Sequence, residues 1–431
     1  MKIITLTEET KQDILTNLLK RNPGQYTEYE ETVNNILSDV RTRGDEAVFE
    51  YTEKFDHFKT TAQSVRVTKE EIEEAYASYD PDLIRIMKDA ADNIIAYHEK
   101  QLTNSWIETR EDGTILGQKV TPIDTVGVYV PGGKAAYPSS TLMCILPAKV
   151  AGVKRIVMTT PCNSEGKVQP CTLVAAKITG VDEIYKVGGA QAIGAMAFGT
   201  KSIPKVDKIV GPGNIFVALA KKAVFGFVSI DSVAGPSEIL VIADETTIPE
   251  YAAADLLSQA EHDQLASAIM ITTSKEVAEK VSAQVDEMTT RLPRKDIIEA
   301  SLNNYGYILL ASSMEDAIDA ANAIASEHVE ILTKDPFEVM TKLKHAGAIF
   351  LGHYSSEPLG DYYAGPNHVL PTNGTAKFFS PLGVDAYVKK SSIISYSKDA
   401  LLSAADDIAK FADAEGLSAH ANSIRIRKSG K

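Results

Sequence analysis

The chain has 431 residues, 44% of them apolar, with a formal net charge of −14 and three cysteines. Its length indicates two large domains or one elaborated α/β unit. The acidic charge and the lack of a basic block argue against nucleic-acid and anionic-membrane binding, and no apolar stretch is long enough to span a bilayer. Without a signal-like N-terminus or a disulfide framework, we expect a cytoplasmic protein with a small-molecule ligand.

The first 25 residues are predicted to form an amphipathic helix that carries Ile14, Leu15, Leu18 and Leu19 and ends at "RNPGQ". A charged helical stretch follows to about residue 105. From "VTPIDTVGVYVPGG" onward, short apolar β segments alternate with alanine-rich helical segments, and a second such series runs from "SEILVIAD" to "AGAIFLG". This alternation is typical of parallel sheets covered by helices on both faces. A polar segment with a final helical stretch ends the chain.

Glycines follow two of the predicted strands directly, in "VGGAQAIGAM" and "IVGPGNIF". Free backbone N–H groups and the helix dipole at such positions favour a phosphate group. Neither segment matches the dinucleotide fingerprint G-x-G-x-x-G, so tight backbone turns explain the glycines equally well. Tyr129, Gln191 and Asn214 lie at three such strand exits, which is where open α/β sheets bind ligands.

Polar residues of the second half are candidates for a metal site. Gln259 and His262 are three positions apart in a helical stretch, so their side chains point the same way. A histidine beside an oxygen donor suits a divalent metal such as zinc, although a lone helical histidine is more often a surface or core residue. Asp361 and His368 lie in "EPLGDYYAGPNHVLPTNG", a long irregular segment of the kind that usually belongs to a site.

Glu327 and His328 stand side by side in "AIASEHVEIL", where a helical segment gives way to a strand. Adjacent side chains diverge by about 100° in a helix and about 180° in a strand, so two separate tasks are favoured over one shared task. A histidine near its reference pKa of about 6.5 can act as a general base, and the glutamate could activate water. The alternative is that both are solvent-facing residues of a turn.

Several ordered blocks of the chain resemble the histidinol dehydrogenase family: "GVYVPGG", "VGGAQAIGAMAFGT", "VDKIVGPGN", "DSVAGPSEILVIAD", "DLLSQAEHD", "SEHVEI" and "GDYYAGPNHVLPT". The resemblance implies oxidation of L-histidinol through L-histidinal to L-histidine, the last steps of histidine biosynthesis. It implies one Zn²⁺ per subunit and two NAD⁺ per product. The fold that it implies is α/β, with two related, incomplete Rossmann-like domains of the aldehyde-dehydrogenase kind in three layers.

The resemblance also assigns residue roles. Glu327 and His328 match the catalytic pair, with His328 as the base in both oxidations and Glu327 as the group that activates water. The matching zinc ligands are Gln259, His262, Asp361 and His420. The matching substrate contacts are Ser237, Gln259, His262, Glu327, Asp361, His368, Glu415 and His420. The matching NAD⁺ contacts are Tyr129, Gln191 and Asn214.

The domain organisation implied by the resemblance has four parts. They are an N-terminal helix (1–25), a zinc and substrate domain (26–128 and 237–379), an NAD-binding domain (129–236) and a C-terminal arm (380–431). The arm is expected to complete the active site of a partner in a domain-swapped homodimer. Glu415 and His420 would then act in the partner's site.

Three other functions stay open on the residues alone. A metal hydrolase could use the same ligands with Glu327 as base, but it would leave the glycine-rich strand exits unexplained. An NAD-dependent aldehyde dehydrogenase would need a reactive cysteine, whereas Cys144 lies in a mostly apolar helix interrupted by Pro147 and is expected in the core. A catalytically silent metabolite-binding protein would produce no NADH from L-histidinol.

Overall fold

The computed structural model describes residues 1–21, 27–132, 136–181 and 183–430. The chain divides into two compact units. The first unit comprises Met1–Gln101 and Asp124–Tyr387, and the second comprises Leu102–Ile123 and Val388–Lys431. The predicted end of the first helix, from residue 22, and Gly133 of the "GVYVPGG" block lie outside the described residues.

Helices and strands are numbered here in chain order, as they occur in the described ranges. The helices are α1 (Glu8–Leu19), α2 (Thr27–Arg43), α3 (Asp45–Asp56), α4 (Lys69–Ser78), α5 (Pro81–Glu99), α6 (Pro138–Val150), α7 (Pro170–Thr179), α8 (Gly189–Phe198), α9 (Ile215–Val224), α10 (Pro249–Ala260), α11 (Lys275–Thr289), α12 (Lys295–Tyr305), α13 (Met314–Ile324), α14 (Pro336–Lys342), α15 (Glu357–Tyr362), α16 (Lys398–Ala414) and α17 (Ser418–Ser429). The strands are β1 (Lys2–Thr5), β2 (Trp106–Thr109), β3 (Ile115–Pro122), β4 (Thr125–Tyr129), β5 (Arg155–Thr160), β6 (Glu183–Lys186), β7 (Lys208–Val210), β8 (Ser229–Ile230), β9 (Glu238–Ala243), β10 (Ser267–Thr272), β11 (Gly306–Leu310), β12 (His328–Leu332), β13 (Ala348–Leu351) and β14 (Val388–Ser395).

The first unit contains two parallel sheets. One has the strand order β6-β5-β4-β7-β8, and the other has the order β1-β11-β10-β9-β12-β13. If β1 is set aside and the strands of each sheet are counted along the chain, both sheets have the order 3-2-1-4-5. This is the order of a nucleotide-binding α/β fold that lacks its sixth strand. The repeated order confirms the prediction of two related, incomplete Rossmann-like folds.

Central strands of both sheets are mostly apolar because helices cover both faces. All six residues of β9 and all six of β10 are buried. The alternating β and helical segments predicted from the sequence correspond to β4 to β7 and to β9 to β13, and the charged stretch before them forms α2 to α5. The predicted boundaries between the zinc and NAD⁺ domains stay a prediction, since both sheets belong to one unit.

The N-terminal segment differs from the predicted single helix. Residues Lys2–Thr5 form a strand that adds to the edge of the six-stranded sheet by pairing with β11 in parallel. Thr7 then accepts a hydrogen bond from the N–H of Thr10 and caps α1. Ile14 and Leu18 are buried as predicted, whereas Leu19 is 56% exposed. The β-branched run "KIIT" favours an extended edge strand over a first helical turn.

The second unit is built from three antiparallel strands and two helices. The sheet has the order β14-β3-β2. Strand β14 therefore pairs with β3, although residues 124–387 of the first unit separate the two parts in sequence. The predicted final helical stretch is two helices, α16 and α17, which are separated at Gly416 (φ +76°). Among the residues described, no helix has both the length and the apolar composition needed to cross a membrane.

A buried ion pair shapes one glycine-rich strand exit. Lys221 in α9 is 2% exposed, pairs with Asp231, and donates to the backbone oxygen of Gly211 at 2.9 Å. Asp231 accepts the N–H of Gly211 at 2.8 Å. Gly211 has φ +114°, and a Cβ there would lie 2.1 Å from the backbone oxygen of Tyr129, so only glycine fits. The ion pair thus binds both the N–H and the carbonyl oxygen of Gly211 at this exit.

Lys221→Met tests this arrangement, because it leaves the Asp231 carboxylate buried without its cation. We expect the free energy of unfolding to fall by about 3–5 kcal/mol, measured by urea denaturation. Lys222→Met is the matched control: the side chain of Lys222 is 49% exposed in its pair with Glu30, so its loss should cost about 0–1 kcal/mol. Equal losses in the two variants would contradict the role given to Lys221.

Candidate active site

Three residues meet at the amino ends of two neighbouring strands in the six-stranded sheet. Strand β9 begins at Glu238, strand β12 begins at His328, and Glu327 immediately precedes β12. These strands are the first and fourth of the 3-2-1-4-5 order, so they flank the point at which the strand order reverses. All three residues are buried. The structure therefore rejects the alternative in which Glu327 and His328 merely face solvent.

The backbone of Glu238 holds both neighbouring side chains. Its N–H donates to Oε2 of Glu327 at 2.9 Å, and its carbonyl oxygen lies 2.9 Å from Nδ1 of His328. A carbonyl only accepts, so Nδ1 carries the hydrogen and Nε2 of the neutral ring is left unprotonated. In the described part of the chain, Nε2 has no hydrogen-bond partner. The arrangement presents Nε2 of His328 as a free proton acceptor.

Burial sets the protonation tendencies of the pair. It lowers the pKa of His328, which favours the neutral ring. It raises the pKa of Glu327 well above the ordinary value, against the opposing effect of the Glu238 N–H. Oε2 of Glu327 and Nδ1 of His328 are 3.8 Å apart. A carboxyl group with a raised pKa and a neutral imidazole are both suited to proton transfer near neutral pH.

A group of possible metal ligands faces the unprotonated nitrogen of His328. Ligand atoms of His262, Glu357 and Asp361 all lie within 4.8 Å of one another. Nε2 of His328 is 3.9 Å from Oδ1 of Asp361 and 4.0 Å from Oε1 of Glu357. Imidazole nitrogen and carboxylate oxygens are ligands that suit a divalent cation such as zinc.

Gln259 supplies an independent sign of a ligand at this place. It lies near the end of α10, three residues before His262, and is fully buried. Neither Oε1 nor Nε2 of its amide has a hydrogen-bond partner among the described residues. A buried amide without partners costs free energy unless something else binds it. The structure thus brings His262 and Asp361 together, and the assignment of Gln259, His262 and Asp361 as metal ligands stays a prediction.

Glu357 was not predicted from the sequence. It is 2% exposed, begins α15 and stands four positions before Asp361, so the two carboxylates share one helix face. Burial, together with the Glu357 carboxylate, raises the pKa of Asp361. A cation held between these oxygens would oppose that shift, because it favours the ionised carboxylates. The i, i+4 spacing of two acids in "EPLGDYY" was a signal that could have indicated Glu357.

The remaining predicted substrate residues lie in both units. His368 has Nδ1 at 3.8 Å from Oδ1 of Asp361, and burial lowers its pKa to about 4. Ser237 is half-buried directly before β9. Glu415 follows the last residue of α16 and His420 lies in the first turn of α17; both are exposed and belong to the second unit.

The predicted dinucleotide contacts lie at the carboxyl edge of the five-stranded sheet. Tyr129 ends β4, and its hydroxyl accepts the N–H of Gly189 at 3.2 Å. Gln191, in the first turn of α8, is buried, and its Oε1 has no partner among the described residues. Asn214 is exposed and caps α9 by accepting the N–H groups of Phe216 and Val217. The structure brings Tyr129 and the start of α8 into direct contact.

Asp56 is a further carboxylate at this edge that sequence reasoning missed. It ends α3 and accepts a hydrogen bond from the backbone of Gly188. Its Oδ2 is buried and has no partner among the described residues. Burial raises the pKa of Asp56 to about 6. An aspartate in a charged helix is ordinarily taken as a solvent-facing residue, so the sequence carried no signal for it.

The cysteines do not form a catalytic centre. Cys144 in α6 is fully buried, as predicted, and burial raises its pKa. Burial likewise raises the pKa of Cys162, to about 11. Reactive cysteines need a lowered pKa and access to the ligand. A mechanism based on a cysteine nucleophile therefore has no support in this structure.

Two nucleotide-type sheets with a buried acid–base pair and a cluster of metal-ligand side chains define an α/β dehydrogenase. Comparison with known proteins agrees. The sequence profile described as histidinol dehydrogenase matches residues 19–428. The histidinol dehydrogenases of Clostridium acetobutylicum and Bacillus subtilis are 56% and 57% identical to the chain, over 95% of it and over 95% and 96% of their own lengths.

A solved structure agrees as well. The crystal structure of histidinol dehydrogenase from Elizabethkingia anophelis superposes with a TM-score of 0.94 at 37% identity, covering 100% of this chain and 98% of that one. The chain belongs to the histidinol dehydrogenase family. It is accordingly an NAD-dependent oxidoreductase with histidinol as its substrate.

Asp56 generates a prediction about stability and pH. Its pKa is raised from 3.8 to about 6, so the folded protein binds more protons than the unfolded chain between these values. Stability is therefore lost as the pH rises from about 4 to about 6, and the contribution of Asp56 is constant at higher pH. We expect the stability of Asp56→Asn relative to the wild type to rise between these two pH values and to stay level up to pH 8, measured from urea midpoints. Glu53→Gln, at an exposed position of the same helix, is the charge control and should show no such gain.

Proposed function

We propose that the chain catalyses the zinc-dependent, four-electron oxidation of L-histidinol through L-histidinal to L-histidine, with two NAD⁺ per product, in the cytoplasm. One observation carries the proposal: the backbone N–H and carbonyl of one residue, Glu238, bind the side chains of Glu327 and His328, and the free nitrogen of His328 faces the ligand cluster. Family membership supports the substrate. A metal hydrolase would need the cluster but neither of the nucleotide-type sheets.

The residues present fit a zinc ion. Gln259, His262 and Asp361 would hold it from one subunit, and His420 from a second subunit would complete four oxygen and nitrogen ligands. The unpartnered amide of Gln259 supports this set, because the metal would satisfy its oxygen. Bound zinc would fix the amine and imidazole nitrogens of the substrate as an orienting template. Ser237, His368 and Glu415 would contact the same substrate, beside the ligand side chains and Glu327.

In the first oxidation, His328 acts as the general base. Its Nε2 accepts the proton of the substrate hydroxyl while a hydride leaves the same carbon for NAD⁺, which gives the aldehyde. The Glu238 carbonyl keeps the hydrogen on Nδ1, so the accepting nitrogen is already free. Since burial favours the neutral ring, His328 readily releases this proton before the next step.

In the second oxidation, Glu327 acts first. Its carboxylate takes a proton from the water as the water adds to the aldehyde and returns it to the former carbonyl oxygen, which gives the hydrate. His328 then accepts a proton from one hydrate hydroxyl as the second hydride leaves for a second NAD⁺. The carboxylic acid formed in this step loses its own proton to give the carboxylate of L-histidine. Tyr129, Gln191 and Asn214 would contact the NAD⁺, and the unpartnered Oε1 of Gln191 is free to accept a hydrogen bond from it.

Substitution of the adjacent pair tests the division of labour. With zinc supplied, the wild type should form two NADH per L-histidine, followed by NADH absorbance. His328→Asn should slow oxidation of both L-histidinol and L-histidinal by about 10²–10⁴-fold, whereas Glu327→Gln should slow mainly that of L-histidinal. His345→Asn, on the turn before β13, is the control and should leave both rates unchanged. Equal damage to both steps by both substitutions contradicts the assignment, and a wild type that forms no NADH from L-histidinol contradicts the function.

A complementation experiment tests the shared site. His262→Ala and His420→Ala homodimers should each be inactive. If the C-terminal segment acts in the partner's site, refolding the two variants together makes mixed dimers in which one site carries both lesions and the other carries neither. Random pairing makes about half of the dimers mixed, so roughly a quarter of the wild-type activity should return. Activity that stays at the level of the single variants would show that each segment serves its own subunit.

A further inference from the structure

Arg21 is a fully buried arginine just beyond the end of α1. A buried guanidinium needs a partner for each part of its charge and for its N–H groups. Nη1 of Arg21 pairs with Oε1 of Glu238 at 3.0 Å, and its guanidinium lies over the ring of Tyr305 at 5.3 Å from the centroid. The pair with Glu238 is closed off from solvent on both sides, since the Glu238 side chain is 4% exposed.

The same guanidinium holds the backbone that leads into β9. Nη2 donates to the carbonyl oxygens of Pro236 and Ser237 at 3.0 and 3.1 Å, and Nε donates to that of Leu265 at 2.5 Å. One side chain thus fixes three carbonyl groups and one carboxylate. Two of those carbonyls belong to the residues directly before Glu238. The position of the Glu238 peptide unit therefore depends on Arg21.

We propose that Arg21 is a positioning residue for both oxidations: it fixes Glu238, whose backbone in turn orients Glu327 and His328. This inference rests on the proposed roles of Glu327 and His328. Arg21 does not contact the ligand cluster itself; it acts through the N–H and carbonyl of Glu238. A misplacement of a catalytic group by about 1 Å can cost on the order of 10²-fold in rate. Loss of the guanidinium allows a displacement of that kind.

If Arg21 only stabilised the fold, its loss would lower stability without a specific effect on rate. Two variants distinguish this role from the positioning role. Arg21→Met alone leaves the buried carboxylate of Glu238 without its cation and is expected to lower the free energy of unfolding. The double variant Arg21→Met with Glu238→Gln removes both charges and should recover stability, because neutral groups of similar volume replace the pair. It does not restore the bonds to Pro236, Ser237 and Leu265. The double variant should therefore be folded and stable but should catalyse both oxidations slowly.

The first readout is kinetic and uses the full-length protein with zinc. We expect the double variant to lose about 10²-fold in kcat for both L-histidinol and L-histidinal, with KM for both substrates and for NAD⁺ nearly unchanged. Ile298→Ala is the control, because it removes buried apolar volume from α12 without removing any hydrogen bond of Glu238. It should lower the urea midpoint and keep its kcat. Wild-type kcat in a stable double variant would overturn the proposal.

The second readout does not depend on turnover. In protein labelled with ¹⁵N-histidine, the Nδ1–H resonance of His328 can be assigned by its loss in His328→Asn. We expect this resonance to broaden or exchange faster in the double variant and to persist in Ile298→Ala. An unchanged resonance in the double variant would overturn the positioning role, whatever the activity. If the wild type forms no NADH from L-histidinol, the proposed function fails, while the resonance still decides whether Arg21 holds His328.

Discussion

The geometry of the candidate site depends on the backbone of one residue, Glu238. The N–H and the carbonyl of Glu238 each bind a side chain from the start of the neighbouring strand, so the relative positions of Glu327 and His328 follow from strand pairing. Strands β9 and β12 lie inside the sheet with neighbours on both sides, where backbone movement is small. Groups built on such strands are held more tightly than groups on loops. The hydrogen bond to the carbonyl also decides which nitrogen of His328 carries the hydrogen and which is left unprotonated.

The two sheets have the same strand order, but the candidate site residues lie at opposite ends of the strands in the two sheets. In the five-stranded sheet, Tyr129 and the starts of α8 and α9 follow the carboxyl ends of the strands, where open α/β sheets usually bind ligands. In the six-stranded sheet, Glu238 and His328 stand at the amino ends. The segment after α15 contacts a helix of the five-stranded sheet, since Asn367 donates to the backbone oxygen of Met143 in α6 at 2.7 Å.

Sequence patterns predicted the two parallel sheets well, but they did not predict which charged side chains are buried. Apolar runs such as "SEILVIAD" are long and bounded by turns, so their strands and their parallel arrangement were predictable. Strand β1 and the three-stranded sheet were not, because their residues are mostly exposed and carry no apolar run. Glu327, His328 and the helix-borne ligands were found from residue type, spacing and resemblance. Arg21, Asp56 and Glu357 were missed since charged residues are normally exposed, whereas the fold buries Arg21, Glu357 and one carboxylate oxygen of Asp56.

Buried carboxylates explain why the cluster favours a cation. Beneath Glu357, the Glu330 side chain accepts the N–H of Glu357 at 2.7 Å and is hydrogen-bonded to Asp255. Burial raises the pKa of Glu330 and of Asp255, and within the described ranges no lysine or arginine forms an ion pair with either carboxyl group. Protons can neutralise this inner pair, which lies below the ligand cluster. Glu357 and Asp361 stand above it beside His262, where a divalent cation offers more compensation than protons because it binds several oxygens at once. The inner acid Glu330 therefore holds the start of α15 in place, and Glu357 and Asp361 are left beside His262 in the cluster of possible metal ligands.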